Sequence, residues 1–186
     1  MINKISNKII ERWIFQKYIL PQHAEYYIYG IETIILSILG IINILIWGFF
    51  TNSIVNAIFF LITFIFIRTY TGGYHADTCT KCNIYFFLLY IVNWIISSNY
   101  YSLFYVLALT NFFICPYIVY KTGPIDNEKK KLSTLKKSKN RDMATLLFVL
   151  FTSLSVIINY YNCKLAMSIN VTLLQCVILM FTKKKV

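Results

Sequence analysis

The residues of this chain best able to do chemistry sit close together. The stretch 68–83 reads Arg-Thr-Tyr-Thr-Gly-Gly-Tyr-His-Ala-Asp-Thr-Cys-Thr-Lys-Cys-Asn and holds one of two histidines and two of five cysteines. A thiol becomes a nucleophile when an imidazole takes its proton or holds the thiolate. His75 and Cys82 share a helical face, but at ~1.5 Å rise per residue they lie ~10 Å apart on a straight helix. That exceeds the roughly 3 Å reach of a hydrogen bond, so a His75–Cys82 pair requires a bend, and Gly72-Gly73 supply a turn just before His75. His75 and Cys79, at i and i+4, touch on a regular helix, so spacing by itself favours Cys79. The same residues form His75-x3-Cys79-x2-Cys82, three soft ligands with zinc-like spacing and no evident fourth, since His23 is distant. A polar turn with incidental cysteines also fits, and spacing leaves these readings open. Cys115 and Cys176 fall inside apolar runs and read as small buried hydrophobes.

The elements that must hold this stretch are membrane helices. Of 186 residues, 58% are apolar and 13% charged, against about 45–50% and 25% in a soluble domain. The apolar residues form runs too long to hide in a chain of this length, so lipid is their solvent. Candidate spans are 31–50, 54–67, 84–98, 101–120, 144–161 and 165–182. The run 54–67 is short for a hydrocarbon core that takes ~20 residues, so flanking residues must extend it or the bilayer must thin. Residues 1–21 alternate Ile2, Ile5, Ile9, Trp13 and Ile14 with polar pairs and lack the uninterrupted apolar core of a signal peptide. They read as an amphipathic helix lying on the inner leaflet and ended by Pro21; a helix packed on the bundle is the alternative.

Charge gives the orientation. With both termini cytoplasmic, all of the 18 Lys and Arg except Lys164 fall on the inner side, as the positive-inside rule requires. The whole chain, 1–186, thus reads as one all-α domain: a polytopic helical bundle in the cell membrane with about six spans, a cytoplasmic loop over 68–83 and a basic cytoplasmic loop over 121–142. Four spans, with the weaker runs in the interface, is the alternative count. The net charge of +11 is spread between apolar runs with no nucleic-acid-binding motif, which argues against a nucleic-acid partner. No acidic residue lies deep in a span, Glu32 falling at a span edge, which argues against ion-coupled transport. A non-catalytic transport or scaffold protein with a structural Cys/His loop is the competing class.

The run Arg68…Gly72-Gly73-Tyr74-His75-Ala76…Cys82 resembles the accessory gene regulator B family, membrane cysteine endopeptidases of Gram-positive quorum sensing. The matching positions are Arg68, Gly73, His75 and Cys82. Pro124, Asn127 and the following Lys-rich run are similar to the family's basic loop, and length, N-terminal helix and span count agree. The resemblance implies Cys82 as nucleophile and His75 as its base or thiolate partner, with Cys79 an extra cysteine that departs from the pattern. Arg68 and Gly73 become supporting residues, and Lys129, Lys130 and Lys131 candidates for attracting an acidic peptide tail. The implied reaction cleaves an AgrD-like precursor through a thioester on Cys82 and closes a thiolactone or lactone ring. It implies no metal and no cofactor, a lipid-embedded enzyme, and a homodimer.

Overall fold

The computed structural model describes residues 2–72, 79–125 and 133–182. Its helices are α1 (Ile2–Phe15), α2 (Ala24–Phe50), α3 (Ile54–Thr71), α4 (Cys79–Asn99), α5 (Phe104–Leu109), α6 (Cys115–Thr122), α7 (Thr134–Asn159) and α8 (Cys163–Phe181). Among the described residues, six stretches are long and apolar enough to cross a membrane: Pro21–Phe50, Ile54–Thr71, Thr80–Asn99, Tyr101–Thr122, Thr134–Asn159 and Cys163–Phe181. The protein is an all-α polytopic membrane bundle.

Several boundaries differ from the sequence reading. The first helix ends at Phe15, well before Pro21; Lys17 takes a left-handed φ of 59°, and Pro21 instead opens a short 3-10 turn, where its missing N–H costs nothing. Ser6 and Ile10 of α1 are buried while Ile5 and Trp13 stay exposed, so the helix packs through a stripe set off from its most apolar one. α2 begins at Ala24, ahead of the apolar run, so Glu32 lies within the helix rather than at its edge, and there it accepts a hydrogen bond from Asn3 at 2.9 Å. The short apolar run 54–67 is carried on to Thr71, which lengthens the span, the first of the two ways its shortness could be met. The fourth span is one membrane-length stretch but not one regular helix. Residues Thr110–Ile114 form a π-turn immediately before Pro116, whose ring clashes with the i−4 carbonyl of a regular α-helix; the wider turn relieves that clash.

The chain divides into two compact units. The first contains α1, α2 as far as Ile44 and α4 as far as Phe87. The second contains the end of α2, α3, the rest of α4 and everything after it. In the second unit α8 is the hub: 72% of its apolar window is buried, against α3, α5, α6 and α7. Its buried face is strongly polar. Asn93 of α4 donates to the Ser168 carbonyl (2.9 Å) and Thr172 Oγ1 (3.0 Å), and Ser168 Oγ donates back to Asn93 Oδ1 (2.7 Å). Gln175 donates to the Leu89 carbonyl at 3.0 Å. Asn111, inside the π-turn, donates to the carbonyl and Oδ1 of Asn170, and Asn170 donates to Ser155 of α7 at 2.8 Å. Between helices whose outer surfaces lipid already satisfies, such side-chain hydrogen bonds and close small-residue contacts supply the cohesion that water supplies elsewhere.

Candidate functional site

The described residues of the expected loop 68–83 are mostly helical. Its first four residues complete α3, and its last five open α4. Gly73 and His75 lie outside the described residues, as do Lys129, Lys130 and Lys131. What the structure describes is how the chain enters and leaves these segments.

α3 runs past its apolar stretch because its polar end is satisfied internally. Thr69 and Thr71 donate their hydroxyls to the carbonyls of Ile65 and Ile67, at 2.7 and 3.1 Å. Gly72 then stops the helix with φ 63° and ψ −145°, a region essentially confined to glycine. The half-buried Arg68 reaches forward one turn and donates from its guanidinium to the Gly72 carbonyl. α6 ends in the same way: Gly123, also at φ 63°, donates its N–H to the Val119 carbonyl at 2.9 Å. The two exits are then stitched together. Ile125 N–H donates to the Thr71 carbonyl at 3.1 Å, and Gly72 and Ile125 form an isolated parallel bridge. A Cβ on Gly72 would stand 2.5 Å from the Ile125 carbonyl oxygen. The end of α3, which leads toward His75, and the end of α6, which leads toward the lysine run, are therefore joined side by side within the second unit.

The basic segment is likewise only partly a loop. Residues 134–142 form the first turns of α7, carrying Lys136, Lys137, Lys139 and Arg141 on a helix. Arg141 sits over the Tyr120 ring at 4.4 Å and pairs with Asp142 at 3.2 Å, so it is tied to α6 and to its own neighbour.

In the first unit, Cys82 lies on the opening turns of α4 with an exposed thiol. The neighbour Asn83 fixes this part of α4 to α2. Its amide donates to the Leu36 carbonyl at 3.0 Å, and its carbonyl oxygen occupies the space a side chain on Gly40 would need. Sequence reasoning missed Asn83 and Gly40. Their signal was present: a carboxamide at the mouth of a span next to a cysteine, and a lone glycine inside an otherwise apolar span. Among the described residues, no three His, Cys, Asp or Glu come together to hold a metal ion; the His75-Cys79-Cys82 set includes a residue outside them.

A family model described as Accessory gene regulator B matches residues 2–182. The chain belongs to that family. Similar proteins include AgrB-like protein 2 of Clostridium perfringens (strain 13 / Type A), 29% identical over 171 residues that cover 87% of this chain and 80% of the relative. An AgrB-like protein of Clostridium perfringens (strain SM101 / Type A) is 26% identical over the same extents. No solved structure matches the chain. Membership of the accessory gene regulator B family gives this multi-pass membrane protein a role in quorum sensing through the accessory gene regulator system, and links it to an AgrD-like peptide.

Proposed function

We propose that this member of the accessory gene regulator B family is a cysteine endopeptidase that cleaves an AgrD-like precursor and closes the released segment into a ring. The observation that carries the reading is the family match over residues 2–182, joined to an exposed thiol at Cys82 on the helix that follows the His75 segment. In the proposed reaction the Cys82 thiolate attacks a backbone carbonyl near the precursor's C-terminus. A carbon–sulfur bond forms, the peptide C–N bond breaks, and the amine of the departing acidic tail takes a proton from His75. The rest of the precursor is then held as a thioester. A Cys or Ser side chain within it attacks the thioester carbonyl, yields its proton to His75 and frees Cys82, leaving a thiolactone or lactone. Ring closure competes with hydrolysis, so exclusion of water at the membrane edge favours the cyclic product.

Arg68 enters this proposal as a residue that positions the His75 segment, since its guanidinium holds the Gly72 carbonyl. Gly73 lets the backbone approach the substrate. Lys129, Lys130 and Lys131 attract the acidic tail. Both termini face the cytoplasm on the proposal, supported by the position of Lys164 as the sole outer cation of 18 Lys and Arg.

The test is co-expression with the precursor, with mass spectrometry following the released tail and the acyl-enzyme. Cys82→Ala and His75→Ala should abolish tail release while Cys79→Ala retains it. Cleavage by Cys82→Ala would remove Cys82 as nucleophile; cleavage lost only in Cys79→Ala would transfer the role to Cys79.

A further inference from the structure

The second unit contains a cavity of about 470 Å³ at the end of α3 away from Gly72. An 18-residue helix separates the two ends, a distance of about 27 Å. The cavity is lined by polar groups from three turns of chain: Ser53 and Asn56 at the start of α3, Trp94 and Ser98 on the last turns of α4, and Asn162 and Lys164 at the start of α8. Lys164 is its only charged lining residue. The Asn56 and Asn162 carboxamides and the Ser98 hydroxyl can donate hydrogen bonds there, whereas the Thr51 hydroxyl donates to the Trp47 carbonyl. No carboxylate lines it, so its fixed charge is positive. The N-terminal ends of α3 and α8 and the C-terminal ends of α2 and α4 all border it, so the helix dipoles oppose one another and Lys164 sets the sign.

Aromatic residues mark its depth in the bilayer. The three turns at this end carry exposed Phe49 and Phe50, Tyr100 and Tyr101, and Tyr160 and Tyr161. Trp94, in the cavity wall, meets Trp47 edge-to-face at 6.4 Å between ring centres. Tyrosine and tryptophan collect at the headgroup level of a membrane, where one end of the ring is apolar and the other wet. A cationic cavity with hydroxyl and amide donors, opening at that level, matches one ligand chemistry: the phosphate of an anionic phospholipid headgroup. We propose that this cavity is a phosphate-binding site, occupied by an anionic lipid of the leaflet facing away from the Gly72 exit. The site is separate from the chemistry proposed for Cys82 and does not depend on it.

The full-length protein, purified in detergent, would be mixed with equal amounts of phosphatidylglycerol and phosphatidylcholine and examined by native mass spectrometry. Wild type should retain phosphatidylglycerol in preference to phosphatidylcholine by about fivefold, the size expected of one lysine acting on an anionic lipid. Lys164→Gln should lose the preference. Ser98→Leu, which fills the cavity without changing charge, should lower it. Lys136→Gln, which removes an exposed charge elsewhere, should leave it intact. Intrinsic tryptophan fluorescence during heating verifies that each variant is folded. Excess inorganic phosphate distinguishes the source: bound lipid that resists it identifies the headgroup as the ligand, whereas Lys164-dependent displacement identifies a site for phosphate from solution. Equal retention of the two lipids by wild type, or an equal loss of preference in Lys136→Gln and Lys164→Gln, would overturn the proposal.

Discussion

Replacing Gly72 with alanine tests the side-by-side exit of the two candidate segments. The native φ of 63° with ψ −145° lies where a residue with a Cβ is strained by about 1–3 kcal/mol. The new methyl would also stand 2.5 Å from the Ile125 carbonyl oxygen, a separation that real Cβ atoms do not tolerate. Backbone must move, and the bond from Ile125 N–H to the Thr71 carbonyl is the nearest to give way, at about 1 kcal/mol. The sum is about 2–4 kcal/mol, or a ~30- to ~1,000-fold shift in the equilibrium constant between the native and the displaced exit. Gly123 is the internal comparison. It shares the φ of 63°, but a Cβ there would meet only Lys137 Cε, at 4.0 Å, so Gly123→Ala carries the backbone strain without the collision. Two measurements follow. Hydrogen exchange at the Ile125 amide should rise in Gly72→Ala more than in Gly123→Ala, which reads the geometry independently of any activity. Tail release from the precursor should fall in Gly72→Ala, by up to that factor, and by less in Gly123→Ala. Unchanged exchange at Ile125 in Gly72→Ala would refute the structural reasoning. Altered exchange with wild-type processing would instead show that the exit geometry does not govern the reaction.

Other substitutions probe separate parts of the molecule. Asn83→Leu removes the tie to the Leu36 carbonyl and should slow acylation of Cys82 while thiol labelling shows the cysteine still accessible; normal acylation would dismiss Asn83 as a positioning residue. Asn93→Leu breaks three buried hydrogen bonds to α8. At an average of about 0.6 and a maximum of about 1.7 kcal/mol for such contacts in a membrane protein, it should lower the melting temperature in detergent more than Thr69→Val, which loses one exposed bond within α3. Neutralising Lys129, Lys130 and Lys131 together to Gln should weaken precursor processing and flatten its dependence on salt, with insertion into the membrane checked by protease accessibility. Equal salt dependence in the triple variant would confine these lysines to topology and lipid contact.

Much of the architecture was legible because lipid imposes it. Runs of Ile, Leu, Phe and Val separated by charged segments can only be spans and turns when no water reaches the backbone between them, and the shortness of 54–67 called for either a thinner bilayer or the extension that the residues up to Thr71 provide. The cysteine and histidine candidates were legible because few side chains do nucleophilic chemistry and these fall in a polar stretch between spans. What pattern could not yield was anything set by partners distant in sequence. The π-turn at Thr110–Ile114 answers to Pro116, but only packing shows that it turns Asn111 toward Asn170. Asn93, Asn170 and Gln175 look like interruptions of apolar runs until α8 is seen as the buried hub whose polar face they satisfy. Gly72 reads as an ordinary turn glycine; the bridge to Ile125 leaves it no room for a side chain. Sequence thus determined which segments cross the membrane and which side chains could react, because those follow from local solvent preference and elementary reactivity. Tertiary structure alone decided which helix is central and which two chain exits share a hydrogen bond, because close approach between remote segments depends on the shapes of both partners, and neither segment records the shape of the other.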